Sequence, residues 1–248
     1  MVKYMMIERK NIQKLINTLG EHSDTREIII DDIKKIPRYS SYLGVCKQTP
    51  VKILIYINYD YPENIQEAVI IHELLHVQIK HEGFPRVVIN ENKSRNANPE
   101  AIRVLRYIRD HFNSTIEHPQ VFYREINEFD IDVDSYFDVQ VERKKHRFER
   151  RTERKKDKNY YFLRQQDILI GIDYYSYPSK HRKMIQKMFR NLYPETYNYC
   201  NTLYRKLKFN NPNEVYTSAQ KIKKDIIRYG RKNGLSEINK IWDAMDIL

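Results

Sequence analysis

Residues 67–85, EAVIIHELLHVQIKHEGFP, set two histidines and a glutamate inside a segment whose remaining positions are mostly apolar. A helix of this kind offers water no continuous polar face. It must be covered on nearly every side, and the rest of the fold has to be built around it. Asp60, Pro62 and Glu63 mark its start, an aspartate placed to cap and an acid placed in the first turn, while Gly83 and Pro85 mark its exit. The reading is a helix from about Tyr61 to His81. Burying His72, Glu73 and His76 with no cation is costly, because each then gives up water for an apolar setting. Their spacing supplies the remedy. His72 and His76 stand one turn apart on one face and can converge on a single zinc ion. Glu73 lies beside them, placed to accept a proton from a water that the ion activates.

The flanking chain reads as a mixed α and β arrangement. Ile7, Ile12, Leu15, Ile16 and Leu19 recur at near-helical spacing and indicate a first helix ending near Gly20. REIIIDDI and VKILIYINYD, rich in branched residues, read as strands. Asn98 and Pro99 open a further helix with Ile102, Leu105, Ile108 and Phe112 as its stripe. A separate helical series, Val121, Phe122, Ile126 and Phe129, follows NSTIEHPQ, with Pro119 beginning or kinking it. ILIGIDYY reads as a strand, and helices are expected at residues 214–229 and after Ser236.

Composition changes most sharply at VERKKHRFERRTERKKDK, residues 141–158, where ten basic residues meet four acidic ones. The expected division is therefore 1–137 as a catalytic domain and 138–248 as a basic, mostly helical region. With a net charge of +11, the chain favours anionic partners, and weak binding of nucleic acid or an acidic protein is assigned to residues 141–158. The two cysteines, Cys46 and Cys200, lack the spacing of a metal knuckle or redox pair, as expected of free thiols in a reducing cytosol. The first twenty residues lack the layout of a secretory signal, and no apolar run is long enough for a transmembrane segment. The expectation is a cytoplasmic protein.

The HELLH stretch resembles the HExxH helix of the zincin metallopeptidases. That resemblance implies an α+β fold in which this helix packs beneath a twisted sheet with an edge strand that can take an extended peptide. It also implies a Zn2+ cofactor, a protein or peptide substrate and hydrolysis of peptide bonds. The metzincin-like pattern needs Gly and His three and six residues after the second histidine, where this chain has Ile79 and Glu82. A gluzincin-like arrangement, with the third ligand on a later helix, is nearer. It points first to Glu117 and then to His118, although the second acid expected four residues after Glu117 is replaced by Val121. The resemblance thus gives His72, His76 and Glu117 or His118 as metal ligands and Glu73 as general base. The competing reading of Glu117 is a capping partner of Ser114. The competing function is a nucleic-acid-associated protein whose zincin-like centre is structural or regulatory.

Overall fold

The computed structural model describes residues 9–22, 24–39, 42–95, 99–129, 131–152, 160–232 and 236–248. In chain order its elements are α1 (Lys10–Glu21), β1 (Glu27–Asp32), β2 (Gly44–Gln48), β3 (Lys52–Ile57), α2 (Glu63–His81), β4 (Val87–Ile89), α3 (Glu91–Ser94), α4 (Pro99–Glu128), α5 (Val133–Thr152), α6 (Tyr160–Asp173), α7 (Ser179–Leu192), α8 (Pro194–Tyr204), α9 (Pro212–Lys232), α10 (Ser236–Asp243) and β5 (Met245–Ile247). The class is α+β, mostly helical with two small sheets. Contacts gather Met1–Glu82 with Val121–Val139 into one compact unit, and Gly83–Gln120 with Gln140–Leu248 into another.

In the first unit the sheet order is β1-β3-β2. β1 runs parallel to β3, pairing Ile28 with Ile53 and Ile30 with Ile55. β2 runs antiparallel to β3, pairing Gly44 with Ile57 and Cys46 with Ile55. Alternation in β3 buries Ile53, Ile55 and Ile57 while their neighbours remain partly exposed, the period of a strand with one covered face. α2 packs against β2 and β3, and α1 lies along α2 through buried Ile12, Leu15 and Leu19. Arg9 fastens the start of α2 by ion pairs of 2.5 Å to both Glu63 and Glu67. At the other end Arg124 holds Glu82, and His81 meets Asp24 at 2.7 Å. The expected aspartate cap is absent: Asp60 is bonded to Lys34 at 2.6 Å, and α2 begins after Pro62 with no side-chain cap. Gly83, at φ 79°, makes the exit as expected.

In the second unit, ILIGIDYY belongs to the end of α6 and the short 3-10 turn after it, not to a strand. Every residue from Gln165 to Tyr174 is buried. A helix covered all round shows no polar period, so a short apolar run reads the same as a buried strand. Gly171 lets α6 approach its neighbours closely, since a Cβ there would stand 2.7 Å from Cys200 Sγ and 2.8 Å from Phe189 Cε1. Trp242, fully buried, donates to Gln165 Oε1. β4 and β5 form an antiparallel pair, Val87 opposite Ile247, and neither strand is visible in the sequence pattern.

The two helices expected on either side of NSTIEHPQ are one, α4, with Pro119 inside it. Its buried series Leu105, Ile108, Phe112 and Ile116 continues through Val121, Phe122 and Glu125, so packing outweighs the backbone bond that proline forgoes. Ser114 is mid-helix and donates to the carbonyl of Asp110 at 3.1 Å, which removes the capping reading of Glu117. The expected Asn98 cap and residues 153–158 of the basic segment lie outside the described residues.

Candidate metal centre

α2 holds its polar residues rigidly because its surroundings are packed. Ile70, Ile71, Leu74, Leu75 and Val77 are all fully buried. His72 is buried too, whereas Glu73 and His76 are half-buried. The rings of His72 and His76 stand edge to face with centroids 4.7 Å apart, and their Nε2 atoms are 3.1 Å from one another. Phe122 and Tyr136 wall the His72 ring at 5.5 Å and 6.1 Å.

On its other edge, His72 Nδ1 meets Glu125 Oε1 at 2.9 Å. A carboxylate partner fixes the tautomer: Nδ1 carries the hydrogen and donates it, and Nε2 carries a lone pair. That lone pair is aimed at the neighbouring imidazole. Glu125 is 0% exposed, and its second oxygen has no hydrogen-bond partner among the described residues. A buried, half-satisfied carboxylate behind a histidine is expensive in a metal-free protein and is compensated once a cation binds the far side of the ring.

Glu117 and His118 both lie on α4, within the part of the helix that belongs to the second unit. Glu117 is buried. His118 is half-buried, and its Nδ1 meets Asp173 Oδ1 at 2.5 Å, at the end of α6. The second histidine thus repeats the pattern of the first, with a buried acid behind Nδ1 and Nε2 left as the ligand atom. Along α4, His118, Phe122 and Glu125 fall at i, i+4 and i+7, one face of a single helix. His72 and His76 are residues of the first unit, and Glu117 and His118 of the second. Imidazoles backed by carboxylates suit a borderline cation such as zinc.

Comparison with protein-family models, curated proteins and solved structures gives no match.

Glu73 sits where α2 meets the edge strand β2. A Cβ built on Gly44 would lie 2.3 Å from Val69 Cγ1 and 3.3 Å from Glu73 Oε1, so glycine is needed there for close approach. Cys46 is further along the same strand. Burial, reinforced by the negative charge of Glu73, pushes its thiol up to about 12, which leaves it neutral and unsuited to be a thiolate ligand or nucleophile.

Glu125 and Asp173 were not singled out from the sequence. Glu125 carries a usable signal, standing seven residues after His118 on the same helical face. Asp173 carries none, because its segment reads as a strand. Tyr123 is 60% exposed, and Tyr107 packs on the His111 ring at 4.6 Å; Tyr136 is the tyrosine beside His72. Among the described residues no helix is long and apolar enough to cross a membrane.

Proposed function

We propose that the protein is a metal-dependent hydrolase of the zincin type that cleaves peptide bonds. The observation that carries this reading is the pair of imidazoles in HELLH, with Nε2 atoms 3.1 Å apart and the buried Glu125 behind His72. His72 and His76 would hold the cation, with Glu117 or His118 as the third ligand. A zinc ion so held supplies Lewis acidity to the attacked carbonyl and acidifies water.

The chain's own residues do the rest. Glu73, adjacent to His72 and half-buried, accepts the proton from the attacking water and delivers it to the leaving amine. Glu125 and Asp173 keep the imidazoles of His72 and His118, respectively, in the tautomer that turns Nε2 outward. Gly44 lets β2 pass close to Glu73 and narrows the space in which its carboxylate can move.

The test is to load the purified protein with zinc, incubate it with an unfolded protein such as casein, and identify new termini by mass spectrometry. Wild-type protein is expected to bind one zinc and cut. Glu73→Gln is expected to bind one zinc and not cut. Cleavage at the wild-type rate by Glu73→Gln, or no stoichiometric zinc in either protein, overturns the proposal.

A further inference from the structure

The positive charge is not spread evenly. Residues of the first unit include 12 Lys and Arg against 17 Asp and Glu, while those of the second include 32 against 16. Within the second unit α7, SKHRKMIQKMFRNL, has five basic residues and no acidic one. Its rotation is fixed by a buried stripe, His181, Ile185 and Phe189, at i, i+4 and i+8. At 3.6 residues per turn, Lys180, Lys183, Lys187 and Arg190 fall within an arc of about 80° centred opposite that stripe. All four are exposed. None of Lys183, Lys187 or Arg190 pairs with an acidic side chain among the described residues. The four positions span about 15 Å of helix.

From this stripe we infer a second activity: α7 binds the phosphodiester backbone of a nucleic acid without regard to sequence. The chemistry of the face selects that partner. A row of cations without interspersed acids matches a regular row of phosphates, and each contact releases condensed counterions. No aromatic side chain lies on the exposed arc, so there is no platform on which unpaired bases could stack. Duplex backbone is therefore the fitting substrate. An anionic bilayer is a poorer match, because Met184 is the single large apolar side chain exposed on the helix, too little to enter an interface. The inference concerns other residues than 141–158 and does not depend on the hydrolase reading.

The experiment measures fluorescence anisotropy of a labelled duplex of mixed sequence against the full-length, metal-free protein over a range of salt. The variant is Lys183→Gln, Lys187→Gln and Arg190→Gln together. It is expected to weaken binding equally for unrelated sequences and to lower the slope of log K against log salt by about 2 to 3. A variant with Lys183→Arg and Lys187→Arg keeps the charge and is expected to bind as wild type, which separates lost charge from lost folding. Four results overturn the inference. The wild type does not bind duplex at low salt. The triple variant keeps its affinity and slope, with binding lost instead when Arg150, Arg151, Lys155 and Lys156 become Gln. Affinity depends strongly on sequence. Phosphatidylserine vesicles or polyglutamate bind through these residues while duplex does not.

Discussion

Replacing Glu125 with Gln separates what this carboxylate does to the fold from what it does for a metal. The residue is wholly buried, meets His72 Nδ1 at 2.9 Å through Oε1, and has no partner for Oε2. A buried polar atom left unpaired costs about 1–3 kcal/mol, and more when charged. Gln preserves the volume and an oxygen that can accept from Nδ1, but removes the charge. The metal-free variant is therefore expected to match wild type or exceed it by up to about 2 kcal/mol. Metal binding shifts in the opposite direction. A neutral oxygen leaves the imidazole less basic and less firmly oriented, and zinc affinity is expected to fall about 10- to 100-fold, which is about 1.4–2.7 kcal/mol. Urea unfolding of metal-free protein gives the first quantity, and competition with a chromophoric chelator gives the second. Unchanged zinc affinity, together with a metal-free protein destabilised by more than about 1 kcal/mol, would refute the reasoning and make Glu125 a packing residue.

Three further outcomes are expected. Of Glu117→Gln and His118→Gln, the one that removes the third ligand should lose zinc affinity far more severely than the other, measured by the same titration; small and equal losses would exclude both. Gly44→Ala should destabilise the protein by about 1–3 kcal/mol through collision with Val69, and by clearly less in a Val69→Ala background; equal costs in both backgrounds contradict the close-contact account. The side-chain hydrogen bond from Arg26 holds the Asp24 carboxyl well below its usual value, so its contribution is complete above the unfolded value, about 3.9, and fades as pH falls toward the folded one. Asp24→Asn should accordingly destabilise at pH 7 by about 1–2 kcal/mol, with the difference from wild type shrinking from pH 5 to pH 2; a constant difference would count against it.

The sequence made the elements with a strong period legible. α1, β1, β3, α2 and α9 stand where their apolar spacing puts them, because each has one covered face and one wetter face, or clear end signals as α2 has at Gly83. α6 was misread for the opposite reason, being buried on all sides. The division at NSTIEHPQ failed because a proline and six polar residues look like a break, while Ile116 and Val121 keep the stripe going. β2, β4 and β5 are short, and β4 and β5 take their pairing from each other across most of the chain. At the candidate centre, His72, Glu73 and His76 were plain because their spacing lies within one helix. The acids Glu125 and Asp173 come from other stretches of chain, and only the folded chain sets Glu125 behind His72 and Asp173 behind His118. The basic face of α7 is less apparent in the sequence than the denser run at residues 141–158, since its order emerges only when the helix is turned about its axis.

The central claim is that the imidazoles of HELLH hold one cation, and anomalous scattering at the zinc edge from crystals of zinc-loaded protein tests it most directly. The account predicts one strong peak, coordinated by the Nε2 atoms of His72 and His76, with Glu125 still bonded to Nδ1 of His72. A peak elsewhere, or no peak between His72 and His76, would contradict it.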